Sequence, residues 1–289
     1  MPAAQTFTLQ SKGARMRTLQ AASLAGATTL LLAAPALANT SLEPDAPEPD
    51  PASASPFQSA PRPWLYAPDP TGPEPKHVLT SLSVGYAQVD RGAARPFAAD
   101  VAHAGAVWSA SAEVGLARFA SVVAEGLLAG QGGGTPVGAG AMLGASFFPF
   151  AKRLPFDTAI SAGYLRELGG DNGVWARVGV AGNLGPARLS FTALGEHVFA
   201  EGRDGVDVLL TTGASVAFLP WLAAGAEYVV QDLEGAWDPE EADGGIRHFV
   251  GVNGVVRLAP RVQLAAGPAL GLSAASPRLL GRLTATYAF

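Results

Sequence analysis

From residue 77 onward the chain alternates apolar with small or polar residues, and the alternation breaks at near-regular intervals on Gly, Pro and Asp. Successive side chains of an extended strand point to opposite faces, so each run reads as a strand with one greasy and one wet face. The runs predict strands at 77–89, 103–116, 119–131, 136–149, 157–168, 174–183, 187–200, 206–218, 222–234, 247–258, 262–272 and 279–289, twelve in all, with ten or fourteen also compatible. In the last run, LLGRLTATYAF, Leu283, Ala285, Tyr287 and Phe289 share one face, and Arg282, Thr284, Thr286 and Ala288 share the other.

The connections fall into two alternating classes. Those after even-numbered strands are short and carry Pro or a base, as in FPFAKRLPF, NLGPAR, LPW and APR. Those after odd-numbered strands are acidic or Gly-rich, as in DRGAARPFAAD, QGGGT, GGDNG and DLEGAWDPEEADGGI. Short turns at one end and longer loops at the other suit an antiparallel, up-and-down transmembrane β-barrel, an all-β fold. A soluble sandwich would carry Lys and Glu on its open face, yet residues 77–289 hold one lysine, Lys152, and the polar face is mostly Gly, Ser, Thr and Ala. Outward aromatics Tyr86, Trp108, Phe218, Tyr228 and Tyr287 fall near strand ends, where interface girdles sit. Two features strain the pattern. Leu127, Leu165 and Leu194 land on the wet face, and Pro268 falls inside a strand, where it predicts a bulge or a shifted register.

Upstream of the strands the texture is different. Lys12, Arg15 and Arg17 precede the apolar run AASLAGATTLLLAAPA, and Ala36-Leu37-Ala38 is a small-residue cleavage site, so 1–38 reads as a signal peptide for export through the periplasm. Residues 39–76 hold eleven of the 23 prolines and six acids against two bases, a composition expected to be a disordered, Pro-rich acidic linker. The barrel domain is then 77–289. With no cysteine, the exported chain can carry neither a disulfide nor a lipid on an N-terminal Cys. Net charge is −5, and removal of the three basic signal residues takes it to −8, which argues against nucleic acid as a partner.

Taking charged mid-strand residues as inward, parity places Glu113, Glu125, Arg177, Arg188, Glu196, Glu227, Arg257 and Arg282 in the lumen. Glu125 and Glu227 fall near mid-height, Arg177 and Arg282 nearer the loop end, and Arg188 and Arg257 nearer the turn end. Two uses are open: an ion-pair network that stiffens the wall, and a charged constriction that selects solutes. The segment 232–245 puts six carboxylates between Asp232 and Asp243, but the spacing matches no EF-hand loop, so a solvated acidic loop is expected and no metal site. His77, His103, His197 and His248 all lie near strand ends, none in a nucleophile motif, and G-x-S-x-G, P-loop and zinc signatures are missing. No enzymatic activity and no cofactor are expected.

The signal peptide, the even set of alternating strands and the terminal Tyr-Ala-Phe together resemble a bacterial outer-membrane β-barrel protein, porin-like but of no particular subfamily. The resemblance implies residence in the outer membrane against its lipid. It also implies that the last strand, with Tyr287 and Phe289, is read by the barrel-assembly machinery. The function expected is a passive pore for small solutes or ions with a mildly acidic constriction. The alternative is a non-conducting structural or adhesion barrel with a side-chain-filled lumen and acidic surface loops. Thirty-eight Pro-rich residues are too few for an autotransporter passenger, and no helical plug is legible.

Overall fold

The computed structural model describes residues 65–66, 70–88, 105–130, 136–149, 156–167, 170–200, 205–237 and 245–289. The signal peptide, residues 39–64 and 67–69 of the linker, and residues 238–244 of the acidic loop lie outside the described residues. Twelve strands follow in chain order: β1 Val78–Gln88, β2 Gly105–Ala117, β3 Ala120–Gly130, β4 Pro136–Phe147, β5 Phe156–Glu167, β6 Asn172–Leu184, β7 Ala187–Val198, β8 Asp207–Leu219, β9 Leu222–Gln231, β10 Arg247–Ala259, β11 Val262–Gly271 and β12 Leu279–Ala288. Each pairs antiparallel with its neighbours in sequence, and β1 pairs with β12, so the sheet closes on itself. Closure leaves no unpaired edge, which a sheet in hydrocarbon requires because no water is there to satisfy free N–H and C=O groups.

The closing seam has perfect register over ten pairs, from Leu79 opposite Ala288 to Gln88 opposite Leu279. Inward hydroxyls fasten it from inside: Ser81 Oγ lies 3.1 Å from Thr286 Oγ1, and Ser83 Oγ 2.8 Å from Thr284 Oγ1. Those threonines are the wet face of the terminal LLGRLTATYAF run.

Burial splits by parity. Leu82, Tyr86, Leu116, Leu143, Ile160, Val178, Val252 and Leu283 are all exposed on the outer face, Val252 by 62% and Ile160 by 51%. An apolar belt on this scale would be untenable in water and is what a lipid-facing wall needs. Strands of 10 to 13 residues are long enough, once tilted, to cross the hydrocarbon core. Aromatics mark both rims of the belt: Tyr86, Trp108 and Tyr164 towards the loops, and Phe218, Trp221, Tyr287 and Phe289 towards the turns. Tyr228, expected with them, is half-buried, its hydroxyl 2.7 Å from His248 Nδ1.

Two departures from the expected pattern have physical reasons. Pro268 produces neither bulge nor slip. Ladder pairs between β10 and β11 stop at Gly251–Ala269 and resume at Gly254–Ala266 in the same register, so the missing N–H costs pairs without moving the strand. The run 222–234 ends as a strand at Gln231, because Asp232 adopts a left-handed backbone (φ 56°) and starts a 3₁₀ turn over Leu233–Ala236.

The lumen as candidate functional site

Inward-facing side chains define the lumen, and their setting follows from strand parity and from height along each strand. Glu125 is sixth of eleven residues in β3 and Glu227 sixth of ten in β9, so both stand at mid-height. Arg282 is fourth of ten in β12, counted from the loop end, and Arg188 is second of twelve in β7, counted from the turn end.

The charges on the inner wall stand in clusters. Glu125 is within electrostatic reach of Arg282 and Arg177, and Arg177 of Glu113 and Glu125. The Arg177 guanidinium lies 5.6 Å from the centroid of the Trp175 ring, a cation–π placement that holds it on the wall, and donates to Ser161 Oγ at 3.5 Å. Ser121 Oγ donates to Glu113 at 2.5 Å. Towards the turn end Arg188 reaches across β6 to Asp157 on β5 at 2.8 Å and also contacts Asn183. Glu196 is 2% exposed and sits near the loop end of β7. Arg257 lies near the turn end of β10, where its backbone N–H donates to the Trp221 carbonyl.

Glu227 has a different kind of partner. Its carboxylate accepts from Asn253 Nδ2 at 2.8 Å and from the backbone N–H groups of Leu65 and Tyr66 at 3.0 and 3.3 Å. Arg282 donates to the Leu65 carbonyl at 2.8 Å, and its guanidinium lies 5.7 Å from the Tyr66 ring centroid. Leu65 and Tyr66 belong to the stretch whose composition predicts a disordered linker. They are instead buried against the inner wall, 6% and 8% exposed. Residues 71–76 of the same stretch also meet the inner wall. Arg188 donates to Thr71 Oγ1 at 3.5 Å, and the Lys76 N–H donates to the Gly115 carbonyl at 2.8 Å. At Gly115 a Cβ would stand 2.1 Å from the Glu74 carbonyl oxygen, so glycine is what lets the segment lie so close.

Above mid-height the inner wall turns apolar. Leu165, Leu194, Leu209, Val229 and Phe249 are at most 6% exposed and pack in one cluster with Leu65, Tyr66 and Trp175. Leu165 and Leu194, which look misplaced on a wet face, are thus part of an apolar layer beneath the loops.

Sequence reading missed Asp157, Asn253, Trp175 and the Leu65–Tyr66 pair. Parity alone flags Asp157 and Asn253, whereas Leu65 and Tyr66 carry only the weak signal of apolar residues in a Pro-rich acidic run. On the loop side, Glu234 of the 3₁₀ turn accepts from the Val208 N–H at 2.8 Å. Burial pushes its carboxyl up to about 7, with Asp232 and Asp207 adding to the rise and the backbone hydrogen bonds opposing it. Asp232 pairs with Arg247 at 3.2 Å. Among the described residues no group of three His, Asp or Glu is placed to hold a metal ion.

No family model matches the chain, and no curated protein matches it. Solved structures do. A KdgM porin superposes with a TM-score of 0.50 at 13% identity, over 73% of this chain and 99% of that one. An outer membrane channel from Pseudomonas putida F1 superposes with a TM-score of 0.53 at 11% identity, over 77% of this chain and 99% of that one. With the apolar belt, the closed sheet and these likenesses in hand, the chain has the fold of the bacterial outer-membrane β-barrels, in a twelve-stranded form.

Proposed function

We propose that the protein is an outer-membrane channel for small solutes or ions, with a mixed and mildly acidic constriction at mid-height. The observation that carries this reading is the charge set on the inner wall: carboxylates of Glu113, Glu125 and Glu227 against guanidinia of Arg177 and Arg282, three to two. Charges of both signs at this density are costly in a dry interior and ordinary beside a hydrated path. In a narrow lumen the wall and lipid limit screening, whereas in a wide one physiological salt screens beyond about 8 Å. An excess of one carboxylate therefore gives a modest cation preference.

Partners on this reading are membrane lipid, the assembly machinery that reads Tyr287 and Phe289, and the permeating solute. The test is planar-bilayer recording of purified, refolded protein, with reversal potentials in a salt gradient. Glu125→Gln with Glu227→Gln removes charge at nearly constant volume, and the cation-to-anion permeability ratio falls. A folded double variant with unaltered selectivity shows that these carboxylates do not line the path.

The apolar layer of Leu165, Leu209, Val229 and Phe249 favours a second reading, a non-conducting structural or adhesion barrel that presents its acidic loops to a partner. Silence in bilayers from both the natural chain and a Glu227→Ala variant, which loosens the segment at Leu65 and Tyr66, decides for that reading.

A further inference from the structure

Four features of the inner wall belong together: two neighbouring backbone N–H groups aimed at one carboxylate, a guanidinium on the intervening carbonyl, an aromatic ring beside that guanidinium, and contacts of residues 70–76 nearer the turn end. We infer that Glu227, Asn253 and Arg282 form a main-chain-binding site inside the lumen, and that its ligand is this chain's own stretch at Leu65 and Tyr66, which closes the lumen when seated. The binding site stands on the contacts alone; its closing role rests on the channel reading.

The chemistry of the site selects a peptide backbone. Glu227 offers only acceptors and takes the Leu65 and Tyr66 N–H groups, while Arg282 offers only donors and takes the Leu65 C=O. Acceptor and donor are thus set for successive main-chain groups, and charge-assisted bonds of this kind are stronger than neutral ones. Asn253 orients the carboxylate from the side at 2.8 Å. The side chains add to this: the Tyr66 ring lies beneath the Arg282 guanidinium, and Leu65 and Tyr66 join the apolar cluster of the inner wall. With the segment seated, Glu227 and Asn253 are 2% and 6% exposed, and the Leu65 and Tyr66 N–H groups are among the donors that this carboxylate takes.

The ligand is suited to the seat. Between Leu65 and Lys76 it carries Pro68, Pro70, Pro73 and Pro75. Proline fixes its own φ, restricts the residue before it and lacks the N–H that a sheet ladder needs, so the segment loses less entropy on docking than a proline-free chain and is poorly suited to pair as a strand. Its contacts rise from the turn end to mid-height: Lys76 on Gly115, Thr71 on Arg188, Pro70 beside Gly179, then Leu65 and Tyr66 on Glu227. The seat is not perfectly satisfied, since the Tyr66 hydroxyl is buried with no hydrogen-bond partner among the described residues. That cost favours a contact that can be released.

The natural chain has no cysteine, so engineered thiols report cleanly. A Cβ built at Gly179 lies 3.2 Å from Pro70 Cβ, close to the spacing a disulfide spans. In the full chain, Pro70→Cys with Gly179→Cys is expected to form a disulfide under mild oxidation in the folded barrel. Adding Glu227→Ala should slow its formation roughly tenfold. No disulfide in the folded protein, or a rate indifferent to Glu227→Ala, overturns the site.

Because residue 179 adds bulk to the lumen, Leu65→Cys provides a second reading. It should be protected from a charged maleimide and become roughly tenfold more reactive with Glu227→Ala, and equal reactivity in both overturns the site. In bilayers the oxidised pair should hold the channel shut and reduction should restore openings, whereas equal conductance in both forms overturns the closing role. A barrel silent in every form, while the disulfide still forms and still responds to Glu227→Ala, removes the channel and leaves the site.

Discussion

The two faces of one wall obey different rules. On the outer face each residue meets the same solvent, so Val252, Ile160 and Leu82 satisfy the lipid one at a time and independently of register. On the inner face each residue meets particular partners: Arg177 needs Trp175 beside it, Arg188 reaches Asp157 two strands away, and Glu227 takes donors from a segment 161 residues earlier in the chain. The outer face is a composition, and the inner face is a set of non-local pairings. The difference teaches where such a barrel can vary freely and where it cannot.

The largest effect is expected at the terminal aromatic. Phe289 donates its backbone N–H to the Val78 carbonyl, and its ring meets that of Tyr287 edge-on at 4.5 Å. Its deletion should leave export intact and divert the chain from the outer membrane to periplasmic degradation, read by cell fractionation. Unchanged outer-membrane yield would separate Phe289 from assembly.

Next comes a direct attack on the independence of the outer face. Val252→Arg, near the middle of β10, should cost about 2–4 kcal/mol of folding stability in lipid vesicles, the penalty for a cation at the bilayer midplane. Equilibrium urea titrations in phospholipid would measure it, and an unmoved midpoint would mean that Val252 does not face lipid.

Two glycines then contrast the faces at constant chemistry. At Gly163 a Cβ would lie 2.1 Å from the Leu143 carbonyl oxygen and 2.8 Å from Trp175 Nε1, while at Gly126 nothing stands within 4 Å. Gly163→Ala should cost about 1–3 kcal/mol through overpacking. Gly126→Ala should be neutral in the same titration, and equal effects would erase the contrast.

The smallest effect belongs to the loop side, outside the spanning strands. The Glu234 carboxyl is held at about 7, above its ordinary 4.5, so the fold favours its neutral form. Its contribution to stability is complete below the ordinary value and is lost as pH rises through about 7. Urea midpoints in phospholipid vesicles should fall between pH 5 and 8 in the natural chain relative to Glu234→Gln. Parallel pH dependence in the two would deny the shift.

Legibility in the sequence follows the same division. All twelve strands were readable because lipid on one side and a wall of small polar residues on the other impose a period of two, and that period survives single exceptions such as Pro268. Strand ends were less readable where backbone conformation decides them, as at Asp232. Parity likewise put Glu113, Glu125 and the other inward charges on one face, but it could not supply their partners. Arg282 lies beside Glu125 and on Leu65 only after the barrel has closed and brought β12 next to β1. Leu65 and Tyr66 were illegible for a further reason. A Pro-rich acidic stretch cannot bury a core of its own, and composition cannot tell that a ready-made wall awaits two of its residues.

The central claim is a channel shut by its own N-terminal segment, and single-channel recording of the full-length barrel beside its Glu227→Ala variant tests it most directly. Long closures with brief openings are expected in the natural chain, and a higher open probability in the variant. A natural chain that is steadily open, or a variant whose gating matches it, would contradict the claim.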